Sequence, residues 1–330
     1  MTLQLNKMES LVFFNQNATC FALTRENGFA VYNTDPITRR FTRQSPKFSG
    51  IALVAMLYKS NIFALVGSEP DSKEFPPNKV VLWDDLQGAA IAEFDFHAKV
   101  ESVKMRRDTI MIIVKNKTFI YNFSDLKLVK SYDTSPNPNG LGELSQGINI
   151  VVAILGIVPG TILIEDFSNS TQRIINCHTN PISTFSLSLE GELVATASER
   201  GTLIRIWSTV GDKKVKELRR GLEVTRVTSI SFNHDSTQIA VCSDKETCHI
   251  FNLQEPNVTS SLYYLTNYLP QYFSSEWSPL TFAVPSGSIV HFAPDSSDTL
   301  YLLTRDNIFK KYVYNIRSGS SKCIETTSLV

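Results

Sequence analysis

Residues 185–209, FSLSLEGELVATASERGTLIRIWST, read as an apolar strand, a polar turn, a β-rich strand, a short turn and an alternating strand ending in an aromatic residue. Immediately downstream the pattern returns as ISFNHDSTQIAVCSDKETCHIFNL (230–253). Working outward, further copies occupy residues 13–34, 56–86, 103–123, 143–167 and 290–314. The equivalent first-strand residues Phe14, Leu57, Met105, Leu144, Leu187, Phe232 and Phe292 recur every roughly 40 to 60 residues, near the period of a four-stranded propeller blade. Helical periodicity is nearly absent, and the segments are short, β-branched and bounded by Asn, Asp, Ser or Gly. Seven such units predict an all-β fold, a seven-bladed β-propeller that takes up residues 1–330 as a single domain. As WD40 repeats they are degenerate: only Trp83-Asp84 supplies the dipeptide, and no Gly-His pair occurs.

Composition narrows the function. The 330 residues, 42% hydrophobic and 19% charged, exclude a disordered chain. Lys+Arg 32 against Asp+Glu 32 leaves no net charge, so no global field draws the chain to nucleic acid or to an anionic membrane. Anion binding has to come from a local cluster. Five scattered cysteines argue against a disulfide framework, fit a reducing compartment and read as small buried residues of strands. The N-terminus shows no secretory signal. The most apolar run, residues 148–164, is broken by Asn149, Gly156, Pro159 and Gly160, and reads as two buried strands and a turn, not a spanning helix. A soluble cytoplasmic protein is expected.

Enzyme constellations are missing. There is no G-x-G-x-x-G, P-loop, H-E-x-x-H, G-x-S-x-G or C-x-x-C, and the five His never pair at metal spacing. The expectation is therefore no enzyme, no metal and no cofactor. Residues 212–221, DKKVKELRRG, stand out and read as the last strand of the fifth blade. In an extended chain neighbouring side chains point to opposite faces, so Arg219 and Arg220 cannot easily share one ligand. One guanidinium turns toward blade five and the other toward blade six, and two separate anion pockets follow.

Leu218-Arg219-Arg220-Gly221 matches the F/L-R-R-G signature of the PROPPINs, the seven-bladed propellers that bind polyphosphoinositides in autophagy. Residues 26–36 (ENGFAVYNTDP), 77–85 (PNKVVLWDD), 195–206 (ATASERGTLIRI) and 273–277 (FSSEW) also resemble that family, most of all its compact branch of the third and fourth human WIPI proteins and their yeast relative. The resemblance implies a first phosphoinositide pocket of His178, Ser198, Thr202, Arg205 and Arg219, with Thr202 contributing from its turn. It implies a second of Arg220, Ser243, Lys245, Thr247 and His249. The chemistry is apt, because Arg offers forked, charge-assisted hydrogen bonds to phosphate and hydroxyls add neutral donors.

Residues 254–279, QEPNVTSSLYYLTNYLPQYFSSEWSP, form a long insertion rich in aromatic residues. In the family such a loop of blade six dips into the bilayer. On that basis Leu262, Tyr263, Tyr264, Leu265, Tyr268 and Leu269 are expected to insert, and residues 273–277 to pack back as structure. The resemblance implies binding of phosphatidylinositol 3-phosphate and the 3,5-bisphosphate and recruitment of autophagy proteins, the family's lipid-transfer partner among them. The implied location is cytoplasmic, peripherally on preautophagosomal or endosomal/vacuolar membranes. Asn17 stands where compact relatives usually carry Asp in the region tied to that partner. The rival reading is a WD40-type protein-interaction scaffold without lipid binding.

Overall fold

The computed structural model describes residues 11–211, 213–254 and 275–329. These form two compact units, one of the described residues up to Gly140 with Arg305–Asn307 and Leu329, the other of those within Leu141–Thr304 with Ile308–Ser328. In the first unit, sheet one holds Val12–Phe14, Cys20–Arg25, Gly28–Thr34 and Ile37–Gln44 (β1 to β4). Sheet two holds Ile51–Met56, Ile62–Gly67, Lys79–Asp84 and Ala89–Asp95 (β5 to β8), and sheet three Val100–Met105, Thr109–Val114, Lys117–Asn122 and Leu128–Asp133 (β9 to β12).

The second unit carries four sheets. Sheet four is Gly142–Leu144, Val151–Leu155, Thr161–Asp166 and Thr171–Asn176 (β13 to β16), and sheet five Ile182–Leu187, Leu193–Ser198, Leu203–Ser208 and Lys214–Arg219 (β17 to β20). Sheet six is Val227–Phe232, Gln238–Ser243 and Thr247–Asn252 (β21 to β23) with Leu280–Ala283 (β25) as its last strand. A two-residue strand, Glu276–Trp277 (β24), joins sheet five instead. Sheet seven is Ile289–Phe292, Thr299–Leu303, Ile308–Asn315 and Ser320–Ser328, the last of which pairs mainly with its predecessor (β26 to β29).

Within each sheet the strands lie in chain order, and all neighbours are antiparallel except β24, which runs parallel to β20. The second strand is the deepest. β10 (TIMIIV) is buried along its whole length, so after Thr109 its residues are apolar on both faces and show no alternation. Outer strands such as β12 (LVKSYD) are largely exposed and polar. The run at residues 148–164 resolves into buried β14 and mostly buried β15 around a turn, with Ile148, Ile157 and Val158 left exposed. Cys20, Cys177, Cys242 and Cys248 are buried as expected, but Cys323 lies on the outer strand β29 and is exposed. An outer strand has one face uncovered, and an alternating position there has no core to enter.

Sheet five decides where the arginines go. One face, with Ala195, Ala197, Ile204, Ile206 and Leu218, packs on Val227, Ile239, Val241 and Phe251 of sheet six. The other face sends Phe185 and Val194 against Ile162, Ile164, Ile175 and Cys177 of sheet four and its exit. Each fully buried Leu or Ile side chain contributes roughly 1.5–3 kcal/mol. Leu218 therefore locks β20 in register, and its neighbours in sequence cannot choose their faces freely. Among the described residues no helix is long and apolar enough to cross a membrane.

Candidate functional site

Across sheet five the residues Phe185, Thr196, Arg205 and Glu217 stand opposite one another in successive strands. Leu203 and Arg219 form the next pair toward the strand end. Antiparallel partners share a face, so Arg205, Glu217 and Arg219 all lie on the side of sheet five opposite Leu218. Arg205 donates through Nε to Glu217 Oε2 at 2.9 Å and through Nη1 to the Cys177 carbonyl at 2.7 Å. Lys214 Nζ reaches the same Glu217 oxygen at 2.9 Å. Burial works against the Glu217 carboxylate, but hydrogen bonds from Lys214 and Arg205 hold its pKa below the ordinary value.

His178 follows β16 in a tight exit. Both Cys177 and His178 donate backbone N–H groups to the Gly160 carbonyl at 3.0 Å. Gly160 has φ +85° and a Cβ there would overlap the His178 carbonyl oxygen, so the position requires glycine. His178 Nε2 and Thr196 Oγ1 are 2.9 Å apart, while the Thr196 hydroxyl donates to the Arg205 carbonyl at 3.3 Å. With its proton used there, Thr196 accepts from the ring, which assigns the Nε2–H tautomer. Burial and the neighbouring Arg205 charge push the His178 pKa down to about 4.

The two arginines of the pair part company. Arg219, 7% exposed, donates through Nε to Ser275 Oγ at 2.8 Å, and its guanidinium lies 6.0 Å from the Trp277 ring centroid. Arg220, 6% exposed, donates through Nε to the Gly201 carbonyl at 2.9 Å and through Nη2 to the Glu223 carbonyl at 2.5 Å. Its backbone N–H binds the Thr202 carbonyl at 3.0 Å. Gly201, at φ +59°, must be glycine because a Cβ would strike the Thr225 carbonyl.

On sheet six, Ser243 faces Thr247 and Val241 faces His249. His249 pairs with Thr281 of β25. His249 Nε2 lies 3.1 Å from Thr247 Oγ1, and Nδ1 lies 2.9 Å from Ser278 Oγ and 3.0 Å from Thr281 Oγ1. Ser243 Oγ and Thr247 Oγ1 are 3.4 Å apart. Burial and the Arg220 charge lower the His249 pKa to about 4. Each neutral imidazole thus feels a different arginine, Arg205 for His178 and Arg220 for His249.

Not every sequence candidate joins these clusters through its side chain. The hydrogen bonds of Ser198 run through its carbonyl, which accepts from Gly201 N–H and Ser183 Oγ, and Thr202 engages Arg220 through its own carbonyl. Lys245 pairs with the Glu223 carboxylate at 2.7 Å, both side chains well exposed. Leu262, Tyr263, Tyr264, Leu265, Tyr268 and Leu269 lie outside the described residues. Within 273–277, Trp277 pairs by its backbone, yet its side chain leaves the residue 57% exposed, so it does not pack back as expected. Sequence reasoning missed Thr196, Glu217, Ser275, Ser278 and Thr281. Their hydroxyls and carboxylate are generic in sequence, and only strand register sets them beside Arg or His. Among the described residues no group of three or more His, Cys, Asp or Glu could hold a metal ion.

Known proteins align with this arrangement. The PROPPIN family model matches residues 8–277. Autophagy-related protein 18e of Arabidopsis thaliana is 31% identical over 93% of this chain and 84% of its own length. SVP1-like protein 2 of Pichia angusta is 36% identical over 91% of this chain and 89% of its own. Among solved structures, Kluyveromyces marxianus Hsv2 superposes with TM-score 0.80 at 22% identity, covering 97% of this chain and 98% of that one. A complex of KlAtg21 with the coiled coil of AgAtg16 gives TM-score 0.79 at 24% identity, covering 96% and 98%. These likenesses show the fold, a seven-bladed β-propeller. Taken with the family match across the Arg-Arg strand, they lead to one assignment: the chain belongs to the PROPPIN family.

Proposed function

We propose that this protein is a peripheral reader of phosphatidylinositol 3-phosphate or the 3,5-bisphosphate and a scaffold that brings autophagy proteins to such membranes. The observation that carries the reading is the divergence of Arg219 and Arg220. Each is nearly buried and anchored through Nε, Arg219 to the Ser275 hydroxyl and Arg220 to the Gly201 carbonyl. Anchoring through Nε fixes the plane of each guanidinium, and terminal N–H groups offer the charge-assisted donors that suit phosphate. His178, Ser198, Thr202, Arg205 and Arg219 make the first pocket; Arg220, Ser243, Lys245, Thr247 and His249 make the second. Residues 254–279 serve as the membrane-facing loop of a single propeller domain, with residues 262–269 at the acyl boundary. Two weak headgroup contacts on one membrane combine to raise avidity by about 10²–10⁴. The location that follows is cytoplasmic, on preautophagosomal or endosomal/vacuolar membranes.

Liposome flotation tests this. Wild type floats with vesicles containing either 3-phosphorylated lipid, and Arg219→Thr/Arg220→Thr stays at the bottom. Each lost charge-assisted contact costs about 1.5–3 kcal/mol, so the double variant loses at least about a hundredfold in affinity. Equal flotation of both proteins makes the Arg pair structural and leaves the protein-interaction scaffold as the better account. Deleting residues 263–269 lowers retention without unfolding the protein.

A further inference from the structure

Sheet five is the one sheet among the described residues with a fifth strand, and that strand lies beside Arg219. β24 runs parallel to β20, placing Glu276 beside Leu218 and Trp277 beside Arg219. Both of its residues and Ser275 before it engage β20. Ser275 Oγ accepts from Arg219 Nε at 2.8 Å, Glu276 pairs with Lys216 Nζ at 3.2 Å, and the Trp277 ring sits 6.0 Å from the Arg219 guanidinium carbon. An edge strand needs no such addition for its own stability, since the other sheets end at four. A two-residue parallel pairing is also a weak reason for a chain to return there.

We infer that Ser275 and Trp277 are positioning residues for Arg219, and that β24 sets the direction of the guanidinium in the first phosphate pocket. The inference rests on the lipid reading and deepens it. A flexible Arg loses rotamer freedom when it binds phosphate, and a side chain already held gives up less. The hydrogen bond from Nε fixes rotation of the guanidinium plane. The indole face, attracted to the cation, fixes its tilt. A bond through Nε orients the phosphate-binding fork formed by the terminal nitrogens. Arg205 is held in the same way by Glu217, and Arg220 by the Gly201 carbonyl. Arg219 is held instead from a segment outside its own four-stranded blade. The more than half-exposed Trp277 then belongs to the pocket wall, which accounts for an indole left in the open on a paired strand.

The test uses soluble inositol 1,3-bisphosphate, so that membrane insertion does not enter, with titration calorimetry on the full chain. In an Arg220→Thr background binding reports the first pocket. There Ser275→Ala and Trp277→Ala each weaken affinity by about three- to tenfold, while Ser275→Thr and Trp277→Phe restore it to within about twofold. In an Arg219→Thr background binding reports the second pocket, and the same alanine substitutions leave it unchanged. Unaltered first-pocket affinity in both alanine variants overturns the inference while the lipid reading stands. Equal losses in both backgrounds also overturn it, because they signal general destabilisation. If the chain with both arginines intact binds no inositol phosphate, the lipid reading itself fails and takes this inference with it.

Discussion

His249 is buried and His178 half-buried, both neutral and each next to an arginine, and the sign of their effect on stability follows from that. Burial first, then the Arg205 charge, lowers the His178 pKa to about 4, with Lys214 adding to the depression and Glu217 opposing it. Burial and Arg220 do the same for His249. Both depart from an unfolded value near 6.5, so between pH 6.5 and 4 the unfolded chain binds more protons than the folded one. Stability is therefore lost as pH falls through that window, by about 2 kcal/mol per histidine at pH 5. Thermal unfolding from pH 7.5 to 5 checks this, and a His178→Gln/His249→Gln variant shows a flatter profile. A second consequence belongs to His178 alone. Its Nε2–H is committed to Thr196, so a phosphate at Nδ1 needs the protonated ring. First-pocket affinity for inositol 1,3-bisphosphate then rises as pH falls from 6 toward 4.5 in an Arg220→Thr background, relative to the same background carrying His178→Gln. A flat profile removes His178 from the contacts.

At the scale of the element, β20 is a strand whose two faces do different work. Leu218 is fully buried against sheet six, and Glu217 and Arg219 lie on the other side. Leu218→Ala leaves a cavity and costs about 2–5 kcal/mol, measurable by urea unfolding. It also loosens both arginines, so lipid binding falls together with stability, unlike the Ser275 and Trp277 variants. The strands themselves were legible because their pattern is local. Phe14, Met105, Leu144, Leu187, Phe232 and Phe292 all fall in the first strand of their sheets, and Leu57 lies one residue beyond β5. β24 was not legible. Two residues pairing in parallel with a strand far back in the chain carry no periodicity of their own. The part Glu217 plays in holding Arg205 depends on the register of β19 against β20. The divergence of Arg219 and Arg220 needed only the alternation of an extended chain, whereas their partners Ser275, Gly201 and Glu223 needed the turns and the returning strand.

For the whole molecule the governing quantity is its charge. Lys+Arg 32 and Asp+Glu 32 cancel, and many of the exposed charges are paired with each other, as in Lys79–Glu93, Lys117–Asp133 and Lys245–Glu223. Such surface pairs contribute little stability, at most about 1 kcal/mol each, but they remove the long-range field that would hold the protein on any anionic bilayer. Attraction is left to the sheltered guanidiniums of Arg205, Arg219 and Arg220, which act at contact range. Salt screens exposed charges beyond about 8 Å at physiological strength and affects partly buried pairs much less. Vesicles carrying phosphatidylserine at the same total charge as a 3-phosphorylated lipid therefore recruit wild type no better than they recruit Arg219→Thr/Arg220→Thr. With the 3-phosphorylated lipid present, flotation persists as sodium chloride is raised from about 0.05 to 0.3 M, a range over which the Debye length falls by more than half. Recruitment by phosphatidylserine alone, or release across that salt range, means that a diffuse surface field carries the binding and that the balanced composition has been outweighed by a local patch elsewhere.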